Sequence, residues 1–181
     1  MQAIATLLNP SVHQKTLEPW QALEKTCGLS GIKVPNDPHL SWFVAEKFDE
    51  SAVKQEFSVF ARELEEFEIH TNGIGLFTGE RPILYIPVVK TKQLLDVHAK
   101  IWNSLSSYGE NLTDFYSPEN WIPHITITSD DSSLIDLGCI LSALMHVDLK
   151  MKIPVDNLAL IFSEESSAGI NFVQSFNRGE L

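Results

Sequence analysis

The 181-residue sequence predicts a fold of mixed helices and strands, built as two similar lobes about a pseudo-twofold axis. Three observations carry that expectation. An order of strand, helix, histidine-bearing strand, helix, strand, strand runs through the first half of the chain and returns in the second. The interval from His39 to His124 nearly equals the interval from Ile69 to Ile153. At that offset Asn72-Gly73-Ile74-Gly75-Leu76 lies opposite Asp156-Asn157-Leu158-Ala159-Leu160. A shared offset across separate elements is the mark of an internal duplication.

The elements follow in order. Residues 3–8 form an apolar run and read as a short buried strand. Val12 to Cys27 reads as a helix ended by Gly28 and Gly31. Pro38 to Phe48 reads as a strand. Asp49-Glu50-Ser51 caps a helix that runs to about Glu66 through Val53, Phe57, Phe60 and Leu64, which recur at helical spacing. Strands over 68–78 and 82–89 follow, turning at Gly79-Glu80. A helix from Thr91 carries Leu94, Leu95, Val97, His98, Ile101, Trp102 and Leu105. The polar stretch from Ser106 to Asn120 is the longest irregular segment, long enough to overhang a site. Pro123 to Thr128 is a strand, and Asp130-Asp131-Ser132 caps a helix to about Val147. Strands over 152–163 and 169–176 complete the chain. No linker separates the halves.

Hydrophobic residues make up 44% of the chain and charged residues 20%, enough apolar side chain to bury a sizeable core. Formal net charge is -11. Long nucleic acid binds through neutralised phosphates, which a surface this acidic does poorly, so no long nucleic-acid partner is expected. A small phosphorylated ligand is compatible with the charge, because a local pocket can differ in sign from the whole. The two cysteines, Cys27 and Cys139, lack C-x-x-C spacing, so no zinc site is expected and two buried thiols in a reducing compartment are. The N-terminus has no basic or long apolar stretch, and no run reaches membrane-span length. The expectation is a cytoplasmic monomer with no membrane partner.

Two tetrapeptides carry the chemistry: Pro38-His39-Leu40-Ser41 and Pro123-His124-Ile125-Thr126. Strand side chains alternate faces. His39, Ser41 and Phe43 are therefore expected on one face, with Leu40, Trp42 and Val44 on the other. His124, Thr126 and Thr128 are likewise set against Ile125 and Ile127. Each strand offers an apolar face to covering helices and an imidazole with a hydroxyl on the opposite face. The preceding proline suits a strand start, where its missing N–H costs no ladder bond. With six histidines in the chain, about one such triplet is expected by chance. The shared proline, the shared inside-outside pattern and the equivalent places in the repeat lift this pair above chance.

These residues, with the flanking Trp121-Ile122 and Ile127, resemble the 2H phosphoesterase superfamily, within it the 2′-5′ RNA ligase-like and cyclic phosphodiesterase groups. The resemblance implies an α+β fold over residues 1–181 as a single bilobal domain, each lobe an antiparallel-type sheet backed by helices, with the two motifs lining a central groove. It implies hydrolysis of 2′,3′-cyclic phosphate ends of nucleotides or short RNA to 2′-phosphates, and the reverse 2′-5′ ligation. Ser41 stands where threonine is common in the family, and either hydroxyl can donate to phosphate.

The chemistry fits on its own terms. Opening a cyclic phosphate takes a base to activate water and an acid to protonate the departing oxygen, and two histidines near neutral pH supply both. Ser41 and Thr126 are expected to donate to the non-bridging oxygens, where charge develops. No metal or other cofactor is expected. Phe43, Tyr116 and Trp121 are candidates for stacking a nucleobase, with core packing as the competing role for Phe43 and Trp121. Lys33, Lys47, Arg81 and Lys90 can reach phosphate, though surface solvation is the default for each.

Two other readings belong to different classes. A 3′ exoribonuclease of the same superfamily also uses paired histidines, but it must track a polyanion, which the acidity disfavours. A non-catalytic nucleotide-binding module does not need two proton-transfer groups. Gly73 to Gly79 has the wrong spacing for a dinucleotide fingerprint and leads into a strand. Ser51-Ala52-Val53-Lys54 lacks the companion motifs of an S-x-x-K enzyme. The acidic run Glu63 to Glu68 reads as a solvated helix end.

Overall fold

In chain order the elements are β1 (Gln2–Leu7), α1 (Pro10–Cys27), β2 (His39–Ala45), β3 (Lys47–Phe48), α2 (Glu50–Glu63), β4 (Phe67–His70), β5 (Gly75–Phe77), β6 (Ile83–Pro87), α3 (Lys92–Leu105), β7 (Gly109–Glu110), β8 (His124–Thr128), α4 (Leu137–Leu144), β9 (Lys152–Val155), β10 (Asn157–Ser163) and β11 (Ala168–Ser175). They come from a computed structural model that describes residues 1–28, 38–79, 82–128, 136–163 and 168–176. The readings placed on Gly31, Lys33, Glu80, Arg81 and Asp130-Asp131-Ser132 lie outside the described residues.

Local chemistry starts the helices. The Asn9 side chain accepts from the Val12 amide at 3.0 Å, and Pro10 opens α1, where its missing N–H costs nothing. Gly28 closes that helix at φ 67°, a left-handed conformation suited to glycine, and its amide reaches Glu24 O. Asp49 caps α2 through the amides of Ser51 and Ala52, and Thr91 caps α3 through Leu94. The described part of α4 is capped by Asp136, nearer the helix than the acidic residues expected to cap it.

The strands form two main sheets, both antiparallel. One runs in the order β11-β10-β1-β2 and the other β5-β6-β8. Strands β4 and β9 pair with each other, Ile69 opposite Ile153. These two residues are equivalents under the sequence offset, so the pseudo-twofold axis passes through the pair. Each half then passes the strand after that pair across: β10 lies against β1, and β5 against β6. The expected strand over 68–78 is broken into β4 and β5. Gly73, at φ 77°, turns the chain between them. The strand expected over 152–163 breaks into β9 and β10 at the equivalent place, around Asp156.

Helix α3 packs on β2 and α2, and α2 covers β10 and β11. The main core gathers Trp42, Phe43, Phe48, Phe57, Leu94, Ile101, Trp121, Ile125 and Leu160, all essentially inaccessible to solvent. Each such side chain contributes about 1.5–3 kcal/mol on burial, so both motif strands rest on a rigid support. Among the described residues, no helix is long and apolar enough to cross a membrane.

One expectation from composition is corrected. Cys27 and Cys139 are not thiols but form a disulfide, with Cα atoms 5.9 Å apart. The packing of α1 against α4 brings them together across 112 positions of sequence. Their spacing along the chain carried no trace of that contact.

Candidate active site

The two motifs occupy the same place in their sheets. In the first sheet Leu7 pairs with His39 and Ala5 with Ser41. In the second, Pro87 pairs with His124 and Tyr85 with Thr126. Immediately beyond each hydroxyl residue the register slips: between Ile4 and Ala5 in one ladder, and between Leu84 and Tyr85 in the other. An extra residue in one strand of a pair is a β-bulge, which bends the strand and re-aims its side chains. A bulge at matching positions strengthens the case for duplication beyond what weak residue identity could.

The bulge also corrects the face expected of Phe43. Strict alternation put Phe43 beside His39 and Ser41. The slip at Trp42 turns Phe43 inward instead, opposite Ile4, with 0% of its surface exposed. Its ring packs edge-on against Phe48 and Trp102, each at 5.3 Å. Val44 takes its place on the motif face, packed with Ala3, Ala5, Ala159 and Ile161. Trp121 is equally buried and stacks on the His98 ring at 3.8 Å and 6°. Neither Phe43 nor Trp121 presents a ring face to a ligand.

Trp121 does something else. Its indole N–H donates to the Ser41 carbonyl at 3.2 Å, tying the lead-in of the second motif to the first. The loop between α3 and β8 is fastened to β2 at a second point, where the Thr113 amide donates to Val44 O at 2.9 Å. The long polar segment that the sequence left irregular is thus docked onto β2, and β2 packs against β8. Asn120 braces the loop from within by donating to the Asp114 carboxylate at 2.9 Å.

His124 is half-buried and ringed by aromatic side chains. Phe77 meets it edge-on at 5.0 Å, Tyr85 at 5.3 Å, and Tyr116 at 6.4 Å. Phe77 and Tyr85 stack on each other at 4.1 Å. Gly75 makes room for this wall, because a Cβ there would collide with the Tyr85 ring. Burial pushes the His124 pKa below its ordinary value, and the Ile122 carbonyl works against that push. The Ile122 carbonyl is 2.7 Å from Nδ1. A carbonyl can only accept, so Nδ1 carries the proton and Nε2 keeps its lone pair in the neutral ring.

His39 opens β2, half-buried, and Thr126 is half-buried on β8. A cleft of ≈ 580 Å³ opens beside His124, lined in part by Phe77, Thr78, Ile83, Phe115 and Tyr116. His39, Ser41 and Thr126 lie outside its wall. No charged side chain is among the described residues that line it.

Residues 6–164 match the family model described as the 2′-5′ RNA ligase superfamily. The chain belongs to this superfamily, the 2H phosphoesterases. Its fold agrees along almost the whole length with solved structures. TT0787 of Thermus thermophilus superposes with a TM-score of 0.69 at 18% identity, over 99% of each chain. E. coli LigT complexed with ATP gives 0.60 at 16% identity, over 98% of this chain and 97% of that one. The LigT complex with 3′-AMP gives 0.63 at 10%, over 98% of each. At such identities the likeness is one of fold. No protein of curated function matches the chain.

In this member of the superfamily His98 is the residue that sequence reasoning passed over. It faces inward from α3 with Leu94, Ile101 and Leu105. Burial lowers its pKa to about 4, against the pull of the Trp42 and Tyr116 carbonyls, so the ring is neutral at pH 7. Its Nε2 donates to Trp42 O at 3.0 Å while its face supports Trp121. The helical spacing of these inward positions implied burial, but nothing in the sequence named its partners. Among the described residues, no group of three or more His, Cys, Asp or Glu is placed to hold a metal ion.

Proposed function

We propose that the chain is a phosphodiesterase that opens 2′,3′-cyclic phosphates on nucleotides or short RNA ends, with His39 and His124 as its acid-base pair. The observation that carries this reading is the matched register of the two motifs, bulge included, on strands that pack together and are tied by Trp121. One imidazole takes the proton from water as its oxygen attacks phosphorus. The other gives a proton to the ribose 3′ oxygen as the P–O3′ bond breaks, leaving a 2′-phosphate. His124, neutral and with Nδ1 already engaged, stands in the form a base requires. Ser41 and Thr126 donate to the non-bridging oxygens.

No step in this scheme calls for a metal ion. With a 5′-hydroxyl in place of water, the same ring opening forms a P–O5′ bond as P–O3′ breaks and leaves a 2′-5′ phosphodiester, the ligation for which the superfamily is named. LigT has been crystallised with ATP, NADP+ and 3′-AMP, and ligands of that size suit the cleft beside His124. Because each half lends a strand to the other's sheet, we read residues 1–181 as one working unit. Incubation with each 2′,3′-cyclic mononucleotide, with and without EDTA, tests the proposal. The expected result is a 2′-phosphate product formed equally well in chelator. No turnover of any of them, or activity that EDTA abolishes and one divalent ion restores, would defeat it.

A further inference from the structure

The two halves of the site are matched in register but not in side chains. In the first sheet Ser41 of β2 pairs with Ala5 of β1, and Ala5 with Ala159 of β10. In the second, Thr126 of β8 pairs with Tyr85 of β6, and Tyr85 with Gly75 of β5. Directly opposed residues of an antiparallel pair share a face, so each row crosses the motif face of its sheet. The register slip falls beside Ala5 in one row and beside Tyr85 in the other, which makes these two equivalent. Gly75 and Ala159 are equivalent under the sequence offset. One row is therefore serine, alanine, alanine, and the other threonine, tyrosine, glycine. The glycine admits the tyrosine, because a Cβ at Gly75 would run into the Tyr85 ring. Tyr85 in turn stacks on Phe77 at 4.1 Å, and Phe77 stands edge-on to His124 and lines the cleft there. Under the same offset the first sheet has Ile161 where the second has Phe77.

We propose that Tyr85 is a positioning residue: by holding the Phe77 ring beside His124 it breaks the twofold of the site and fixes which ester oxygen of a cyclic phosphate faces which histidine. This deepens the phosphodiesterase reading and rests on it. A 2′,3′-cyclic phosphate is itself close to twofold about phosphorus. Half a turn exchanges O2′ with O3′ and swings the nucleoside to the other side. In one orientation water adds to phosphorus, P–O3′ breaks, O3′ takes the proton, and a 2′-phosphate leaves. In the other, P–O2′ breaks, O2′ takes the proton, and a 3′-phosphate leaves. Each consumes one water. With the roles of the two histidines set, orientation alone decides the product. A groove with matched walls would hold the two orientations alike. An aromatic wall on one side only gives the nucleoside a ring face to pack on in one of them. Alanine and isoleucine in the equivalent places offer none, so the two orientations differ in free energy and one product wins.

Product identity tests this, because a merely structural role would not move it. Each variant is incubated with 2′,3′-cyclic AMP, and the 2′-AMP and 3′-AMP formed are separated by chromatography. Calorimetry gives the Kd of each monophosphate, and melting temperatures identify the folded variants. The unaltered protein should give 2′-AMP almost alone and bind the 2′ isomer more tightly. Tyr85→Ala removes the ring, and Tyr85→Leu fills its space without an aromatic face. In both, the 2′:3′ product ratio should fall by about 3- to 10-fold, as for loss of one aromatic contact, and the two affinities should converge. Gly75→Ala displaces the ring and should do the same. Tyr85→Phe keeps the stack and should keep the ratio. A ratio unchanged in folded Tyr85→Leu and Gly75→Ala would overturn the proposal, as would an equal fall in Tyr85→Phe or an even mixture from the unaltered protein. A protein that turns over no cyclic nucleotide, yet loses its preference between the monophosphates in Tyr85→Leu, would refute the phosphodiesterase reading and leave the role of Tyr85 standing. Neither turnover nor binding of either monophosphate would overturn both.

Discussion

The indole N–H of Trp121 donates to the backbone carbonyl of Ser41 at 3.2 Å, joining residues from opposite halves of the chain. One motif's lead-in is thereby fixed to the other motif's hydroxyl-bearing residue. Trp121→Phe removes the donor to a part-buried carbonyl, a loss of about 0.5–1.5 kcal/mol. Chemical denaturation should show that loss. Activity on a cyclic nucleotide should fall further than stability does, because the spacing between motifs is what the bond maintains. A variant as stable and as active as the unaltered protein would show that β2 and β8 need no such tie.

The surroundings of His124 set a pH dependence. Its pKa lies below the ordinary 6.5 of histidine because the ring is buried. The base must be neutral, so the acid limb of kcat/KM should fall below pH 6.5. Phe77→Ala opens the wall at the imidazole edge, lets water in, and should move that limb upward. An NMR titration of the His124 ring checks the direction independently of turnover. An acid limb that ignores the Phe77 change would separate it from His124.

His98 makes a separate claim about stability. Its folded pKa is about 4, depressed from 6.5 by burial. Between those values the unfolded chain binds a proton that the folded chain does not. Stability therefore rises with pH through this window and is fully present above about pH 6.5. On acidification it should decline by a few kcal/mol, levelling off near pH 4. Urea melts at pH 7 and pH 5 measure the change, and His98→Gln should flatten it. A wild-type slope that persists in this variant would assign the acid sensitivity elsewhere.

The Cys27–Cys139 bridge closes a loop containing both motifs and ties α1 to α4. A disulfide across so long a loop stabilises by about 2–4 kcal/mol. Melting temperature should drop in reductant, and Cys139→Ser should reproduce the drop and no longer respond to reductant. Identical melts with and without reductant would show that the two sulfurs are not bonded in solution.

Much of this architecture was legible in the chain. Asp49 and Thr91 mark helix starts because their side chains can satisfy open amides, and both do so in the fold. The offset between His39 and His124 foretold matched strands, because a duplicated unit keeps its register. What escaped notice were features decided by contacts distant in sequence. Phe43 turned inward because one extra residue in β2 shifts the period-two pattern, and a bulge leaves no mark in composition. The stack of His98 on Trp121 and the docking of the 106–120 loop depend on how α3 lies over β2. The disulfide depends on α1 meeting α4. The strand over 68–78 held a clue in Gly73, whose positive φ ends β4, but the apolar residues around it masked the break.

The central claim is that His39 and His124 act as one acid-base pair on a cyclic phosphate. The direct measurement is kcat for 2′,3′-cyclic AMP in His39→Ala, His124→Ala and the double variant, each shown by circular dichroism and melting to be folded. General acid or base assistance is worth about 10²- to 10⁴-fold, so each single change should remove most of the turnover. The double change should cost far less than the product of the two, because the groups act as a unit. A folded single variant with near-full turnover, or losses that multiply in the double, would contradict the paired mechanism.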